Sequence, residues 1–169
     1  LWWLDKIKSK TTSLASETSL ELKETSLFNR KEAYLFNVFT KQTSSKELAN
    51  FKNVLAKVYD TEGNLVSGNS AVGTGYTISI VINGTKYDST TIIIKGDING
   101  DSVIDATDYL KIKSNFLDTL VLNDAELKAA DIDGNAEIDA TDYLKIKSHF
   151  LGNIDIFKTE NKIFDYVNP

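Results

Sequence analysis

From residue 18 to residue 95 the apolar positions come in short bursts divided by polar turns, and they are rich in β-branched and aromatic side chains. That pattern predicts strands at Leu20–Lys23, Tyr34–Phe39, Val54–Tyr59, Tyr76–Ile82 and Thr90–Lys95. Ser44–Phe51 reads as a short helix capped by Ser44, Thr61–Asn64 as a turn, and Asn83-Gly84 as a two-residue hairpin turn. Short strands with turns between them predict an immunoglobulin-like β-sandwich. Beyond residue 96 the period changes. Tyr109, Ile112 and Phe116 fall on one helical face with Leu110 and Leu117 beside it, and Tyr143, Ile146, Phe150, Leu144 and Leu151 repeat the arrangement. Thr107 and Thr141 are the expected N-caps, with Asp108 and Asp142 in the first turns, and Ala125–Ala130 reads as a short middle helix. No apolar run approaches the roughly 18 residues that a membrane-spanning helix needs.

The second half repeats itself. Ile104–Leu117 recurs as Ile138–Leu151 at an offset of 34 residues, with 13 of 14 positions identical and only Asn115 changed, to His149. Ahead of each copy lies an acidic stretch of matching spacing. Numbered from its first aspartate, the first loop has Asp97 at position 1, Asn99 at 3, Asp101 at 5, Asp105 at 9 and Asp108 at 12. The second has Asp131, Asp133, Asn135, Asp139 and Asp142 at the same places. Alternate short oxygen-bearing side chains, a backbone carbonyl at position 7 (Val103, Glu137) and an acid closing position 12 form the spacing of an EF-hand calcium loop. Ile104 and Ile138, at position 8, are expected to pin the loops to the core. The spacing therefore predicts two Ca2+.

Two departures stand out. Position 6, where EF-hand loops place glycine, carries Ser102 and Ala136, and a left-handed backbone there costs about 1–2 kcal/mol. Position 12 carries aspartate, one methylene shorter than the usual glutamate. A full EF-hand also has an entering helix, whereas a strand-like run precedes Asp97. Each loop is thus expected to feed one helix only, unlike a calcium sensor.

Composition narrows the function. The formal net charge is −5, which argues against nucleic-acid binding, and the acids crowd between Asp97 and Asp142, where a cation would relieve them. With no cysteine, disulfides, thiolate metal sites and cysteine nucleophiles are excluded. No nucleophile–base pair, histidine cluster or paired carboxylates occur outside the acidic loops, so the chain reads as not an enzyme. It begins Leu1-Trp2-Trp3-Leu4 without methionine and reads as the C-terminal fragment of a longer protein.

Two loop–helix calcium motifs, the Asp97-Ile-Asn-Gly-Asp101 pattern and the repeated Ala-Thr-Asp step resemble the dockerins, which plug bacterial extracellular enzymes or scaffold proteins into cohesin domains. The likeness covers roughly residues 96–155. It implies that cohesin is read through loop positions 10 and 11 and helix positions near 17 and 18. Those fall on Ala106, Thr107, Lys113 and Ser114 in one copy and on Ala140, Thr141, Lys147 and Ser148 in the other. The Ala-Thr pair departs from the Ser-Thr of many relatives. Near-identity through these exposed positions implies two interchangeable binding faces. The stretch before the loops, with Val72-Gly-Thr-Gly75, resembles the X-module often found upstream of dockerins.

The fold class expected is α+β in two modules, a β-sandwich followed by a small helical dockerin. Residues 1–17 are a flank, 18–95 the β-rich module, 96–155 the dockerin and 156–169 a tail, whose Phe157, Ile163, Phe164 and Tyr166 suit packing on the junction. Thr90–Lys95 runs into Asp97 without a linker, which predicts rigidly docked modules. Gly73-Thr-Gly75 lacks the rest of a phosphate-binding fingerprint and reads as a turn, Asn83-Gly84-Thr85 as a hairpin rather than a glycosylation site, and Trp2-Trp3 as packing or linker. The function implied is calcium-dependent anchoring of a secreted bacterial protein to cohesin in a cellulosome-type, polysaccharide-degrading complex, without membrane insertion. A calcium-stabilised structural or adhesion module of a cell-surface protein is the alternative.

Overall fold

A computed structural model describes residues 18–158; Trp2, Trp3, Ile163, Phe164 and Tyr166 lie outside them. Six strands form one mixed sheet: β1 (Asn29–Lys31), β2 (Tyr34–Phe36), β3 (Ala56–Tyr59), β4 (Leu65–Val66), β5 (Thr77–Ile82) and β6 (Thr85–Ile92), in the order β1-β2-β6-β5-β3-β4. All neighbours are antiparallel except β2 and β6. Helix α1 (Ser44–Leu48) precedes β3, and among the described residues helices α2 (Ala106–Phe116), α3 (Asp124–Ala130) and α4 (Ala140–Phe150) follow the sheet.

The Asn83-Gly84 turn is as expected, both residues having positive φ (50° and 78°), which matches the twist of β5 and β6. Other expectations shift. Among the described residues hydrogen bonding joins every strand into one sheet where two were expected, because β2 pairs in parallel with β6 and bridges its halves. Leu20–Lys23 contributes a single bridge, Leu22 to Phe51. Its place is held instead by Asp88 of β6, which accepts from the Leu20 amide at 2.8 Å and from both terminal nitrogens of Arg30. Ser44 does not cap α1: its hydroxyl donates to the Val66 carbonyl at 2.8 Å, tying the helix to β4.

The sheet serves two cores. Along an extended chain successive side chains point to opposite faces. Ile92 and Ile94 accordingly enter a first core with Leu35, Val58, Ile78 and Ile80. Ile93, between them, enters a second core with Ile98, Ile104, Ile112 and Ile146. Strand β2 splits likewise, Leu35 facing the first core while Tyr34 and Phe36 pack against the second. The expectation of rigid docking is thereby given a mechanism: one wall of the helical module is the sheet. The chain returns at its far end, where Ile156 is buried in the second core and Phe157 packs against both.

Glu47 is fully buried and neither carboxyl oxygen has a hydrogen-bond partner. Burial pushes its pKa up to about 8. A raised carboxyl pKa supplies stability that is complete below the ordinary value of 4.5 and is lost as pH rises through about 8. Glu47→Met is expected to raise stability near pH 8 by about 1–3 kcal/mol and to flatten its decline with pH, as denaturant melts across the range will show. Deleting residues 1–90 strips the half-buried Tyr34 and Phe36 from the second core, each worth about 1–2 kcal/mol at that burial. The melting temperature of the helical module in saturating calcium should then fall by at least about 10 °C, and an unchanged value would refute the shared-wall description.

Candidate metal centre and docking face

Each acidic loop is folded by its own side chains. In the first, Asp97 Oδ1 accepts from the Gly100 amide at 2.9 Å and Oδ2 from the Ser102 amide at 3.2 Å. In the second, Asp131 accepts from Gly134 at 2.8 Å and Ala136 at 3.0 Å. Position 12 closes each loop from the helix: Asp108 Oδ1 accepts from the Ile98 and Asn99 amides, Asp142 Oδ1 from Ile132 and Asp133. Positions 3 and 5 are turned by short bonds, Asn99 and Asp101 accepting from the amides two residues on, as do Asp133 and Asn135. Val103 and Glu137, at position 7, are the amide donors to Asp101 and Asn135. Position 6 is left-handed in both copies, with φ 70° at Ser102 and 68° at Ala136.

The helices start two residues earlier than expected. Asp105 and Asp139, not Thr107 and Thr141, are the N-caps, each in a capping box with Asp108 or Asp142. Position 9 therefore serves the helix as well as the loop. The Thr107 hydroxyl and amide hold the Asp105 carboxyl below the usual range.

Carboxylates converge in both loops, and Lys145, 3.8 Å from Asp133, offsets only part of the charge in the second. Oxygens of Asp131, Asp133 and Asp142 lie within 4.8 Å of one another. Burial, together with the charges of Asp108 and Asp101, pushes Asp97 up to about 6. Burial raises Asp108 and Asp142 as well. An all-oxygen set of this kind fits a hard divalent cation such as Ca2+.

Helices α2 and α4 pack through reciprocal contacts. Tyr109 meets Phe150 at 5.6 Å between ring centroids and Phe116 meets Tyr143 at 6.2 Å, so each copy's position 13 touches the other's position 20. Tyr109 and Tyr143 stack at 5.1 Å with their hydroxyls 2.9 Å apart. Such reciprocity is the mark of a two-fold relation, with the axis near the tyrosine pair. Lys113 and Lys147 both reach the Tyr109 ring, at 6.0 and 5.9 Å, so these expected partner-binding lysines meet at the axis. Ala106 and Thr107 stand exposed at one end of the seam, Ala140 and Thr141 at the other, with Ser114 and Ser148 half-buried.

Sequence periodicity overstates the burial of Phe116 alone. Phe116 stays 48% exposed despite its stacking, and Leu110, Leu117, Leu144 and Leu151 are more than half exposed. Leu144 and Ile154 line a shallow hollow of about 290 Å3 with Ala140, Thr141, Lys145 and Ser148. Their partners one repeat back are Leu110 and Leu120. The matched spacing of these leucines was the available signal. His149, the one departure in the repeat, accepts from the Ile156 amide at 3.4 Å, while Asn115 donates to the Leu120 carbonyl.

Residues 95–151 match the family model of the Dockerin type I domain, which supports a dockerin module in this segment. Dockerin type I domains bind calcium, and dockerin domains bind cohesin domains. No curated protein matches the chain. No described helix is long and apolar enough to cross a membrane.

Because a cation must displace the proton that Asp97 holds below about pH 6, calcium affinity at the first loop is expected to fall as pH drops through that value. Calorimetric titrations on either side of it will test this; an affinity unmoved by pH counts against Asp97 as a ligand.

Proposed function

We propose that residues 96–155 form a calcium-dependent docking module that holds two Ca2+ and anchors its parent protein to a cohesin domain. Asp97, Asn99, Asp101, Asp105 and Asp108, with the Val103 carbonyl, hold one ion. Asp131, Asp133, Asn135, Asp139 and Asp142, with the Glu137 carbonyl, hold the other. Calcium neutralises the buried acids and fixes each loop onto its helix; the helices carry recognition, and no catalysis is involved. The setting that suits such a module is a secreted bacterial protein in an extracellular polysaccharide-degrading complex, with the sheet domain as an X-module.

The observation that carries this reading is the duplication of exposed surface. Leu110 and Leu144 are 56% and 51% exposed, and Leu117 and Leu151 are 57% and 56% exposed. Packing between the two helices requires Tyr109, Ile112 and Phe116 to repeat, but places no such demand on solvent-facing leucines, Ala106-Thr107 or Ser114. Two equal faces related by a two-fold axis suit one partner bound in either of two orientations.

Replacing Ala106 and Thr107 with glutamates is therefore expected to weaken cohesin binding only about twofold, one of two equivalent orientations being lost. The same change at Ala140 and Thr141 should do likewise, and all four together should abolish binding. Calorimetry against a cohesin panel, with calcium and with chelator, gives the answer. A large loss from either single-face variant would sink the two-orientation proposal. Calcium stabilisation without heat from any cohesin would point to a structural module instead.

A further inference from the structure

The two acidic loops have nearly the same sequence but different surroundings. The first is gripped by the sheet domain. The Thr74 amide donates to Asp97 Oδ2 at 3.0 Å, a buried bond across 23 residues. The Lys41 amide donates to the Ser102 hydroxyl at 2.8 Å and to its carbonyl at 3.2 Å, with Lys41 itself held at φ 60°. The Gly73-Thr74-Gly75 turn lies so close that a Cβ on Gly73 would sit 1.8 Å from the Gly100 carbonyl oxygen, and one on Gly100 would sit 2.6 Å from that of Thr74. In the second loop Asp131 is bound by amides of its own loop, Ala136 has no hydroxyl to offer, and a Cβ on Gly134 would meet nothing within 4 Å.

Resting on the reading of two calcium sites, we propose that the Thr74 turn and Lys41 are positioning elements that make the first loop the tighter calcium site, filled before the second. The grip acts before calcium arrives. It fixes the carboxylate of Asp97 and the left-handed residue at position 6, conformations that the second loop must order when the ion binds. Hydrogen bonds to ligating carboxylates commonly change metal affinity by about 10–100-fold on removal. The sheet domain is thus part of one metal site and not of the other.

The test is a calcium titration of the whole chain by amide NMR, with Gly100 and Gly134 reporting each loop separately. In the unaltered protein the first loop is expected to bind at least about tenfold more tightly. Gly100→Ala and Gly134→Ala form a matched pair, since both glycines have positive φ, 80° and 75°, but only the first meets the Thr74 carbonyl. Gly100→Ala should therefore cost its loop at least about tenfold more than Gly134→Ala costs the other. Ser102→Ala, which installs the residue the second loop already carries, avoids any steric clash and should weaken the first loop about threefold or more. Coincident titration curves in the unaltered protein, equal losses in the matched pair, or no effect of Ser102→Ala would each overturn the proposal. Failure of both glycine amides to respond to calcium would instead overturn the two-site reading beneath it.

Discussion

The alternation of Ile92, Ile93 and Ile94 between two cores is the constraint on which the rest of the molecule depends. Three consecutive fully buried isoleucines cannot share one face of an extended chain, so each side of this segment must be covered by something apolar. The first core covers Ile92 and Ile94, and the helical module covers Ile93. Tyr34, Leu35 and Phe36 run beside them in parallel and divide in the same way. The junction is therefore the shared wall of two modules. With Asp97 only three residues beyond Ile94, the first acidic loop has no freedom to leave the sheet, and the Thr74 and Lys41 bonds follow from that proximity.

This explains which parts of the structure could be read from the sequence. The loops were legible because oxygen ligands on alternate residues within twelve positions are a local pattern, and the helices because their core stripe repeats. Local reading misassigned the caps, since Asp105 and Asp139 already looked like loop ligands and a single residue can do both. It also placed Phe116 on the core-facing stripe, although nearly half of that side chain stays exposed. The sheet order was not legible: the parallel pairing of β2 with β6 joins residues 57 apart, and the Arg30–Asp88 contact joins residues 58 apart. Gly73 was correctly read as a turn residue. Its role depends on the backbone of residue 100, which no spacing rule connects to it. Glu47 lies within the predicted short helix, and only the packed fold shows it sealed from water.

The differences between the two copies are as informative as their identities. Ser102 faces Lys41 where Ala136 faces no such donor. His149 meets the returning chain at Ile156 and stacks edge-on with Phe157 at 5.9 Å, where Asn115 closes its own helix end. Asn99 donates to Asp101 and Thr107 where Asp133 approaches Lys145 at 3.8 Å. Each of these copies differs where its neighbours differ. By the same logic, residues that are identical although their neighbours do not require it need another cause. Leu110 and Leu144 are such residues, as are the Ala-Thr pairs and Ser114 and Ser148. Their surroundings inside the molecule are not matched: Lys111 beside one pair is bound to Glu126 of α3, while its counterpart Lys145 turns to Asp133. A surface kept the same over unlike foundations is what the proposed two-orientation docking requires, one partner meeting each copy with the same chemistry.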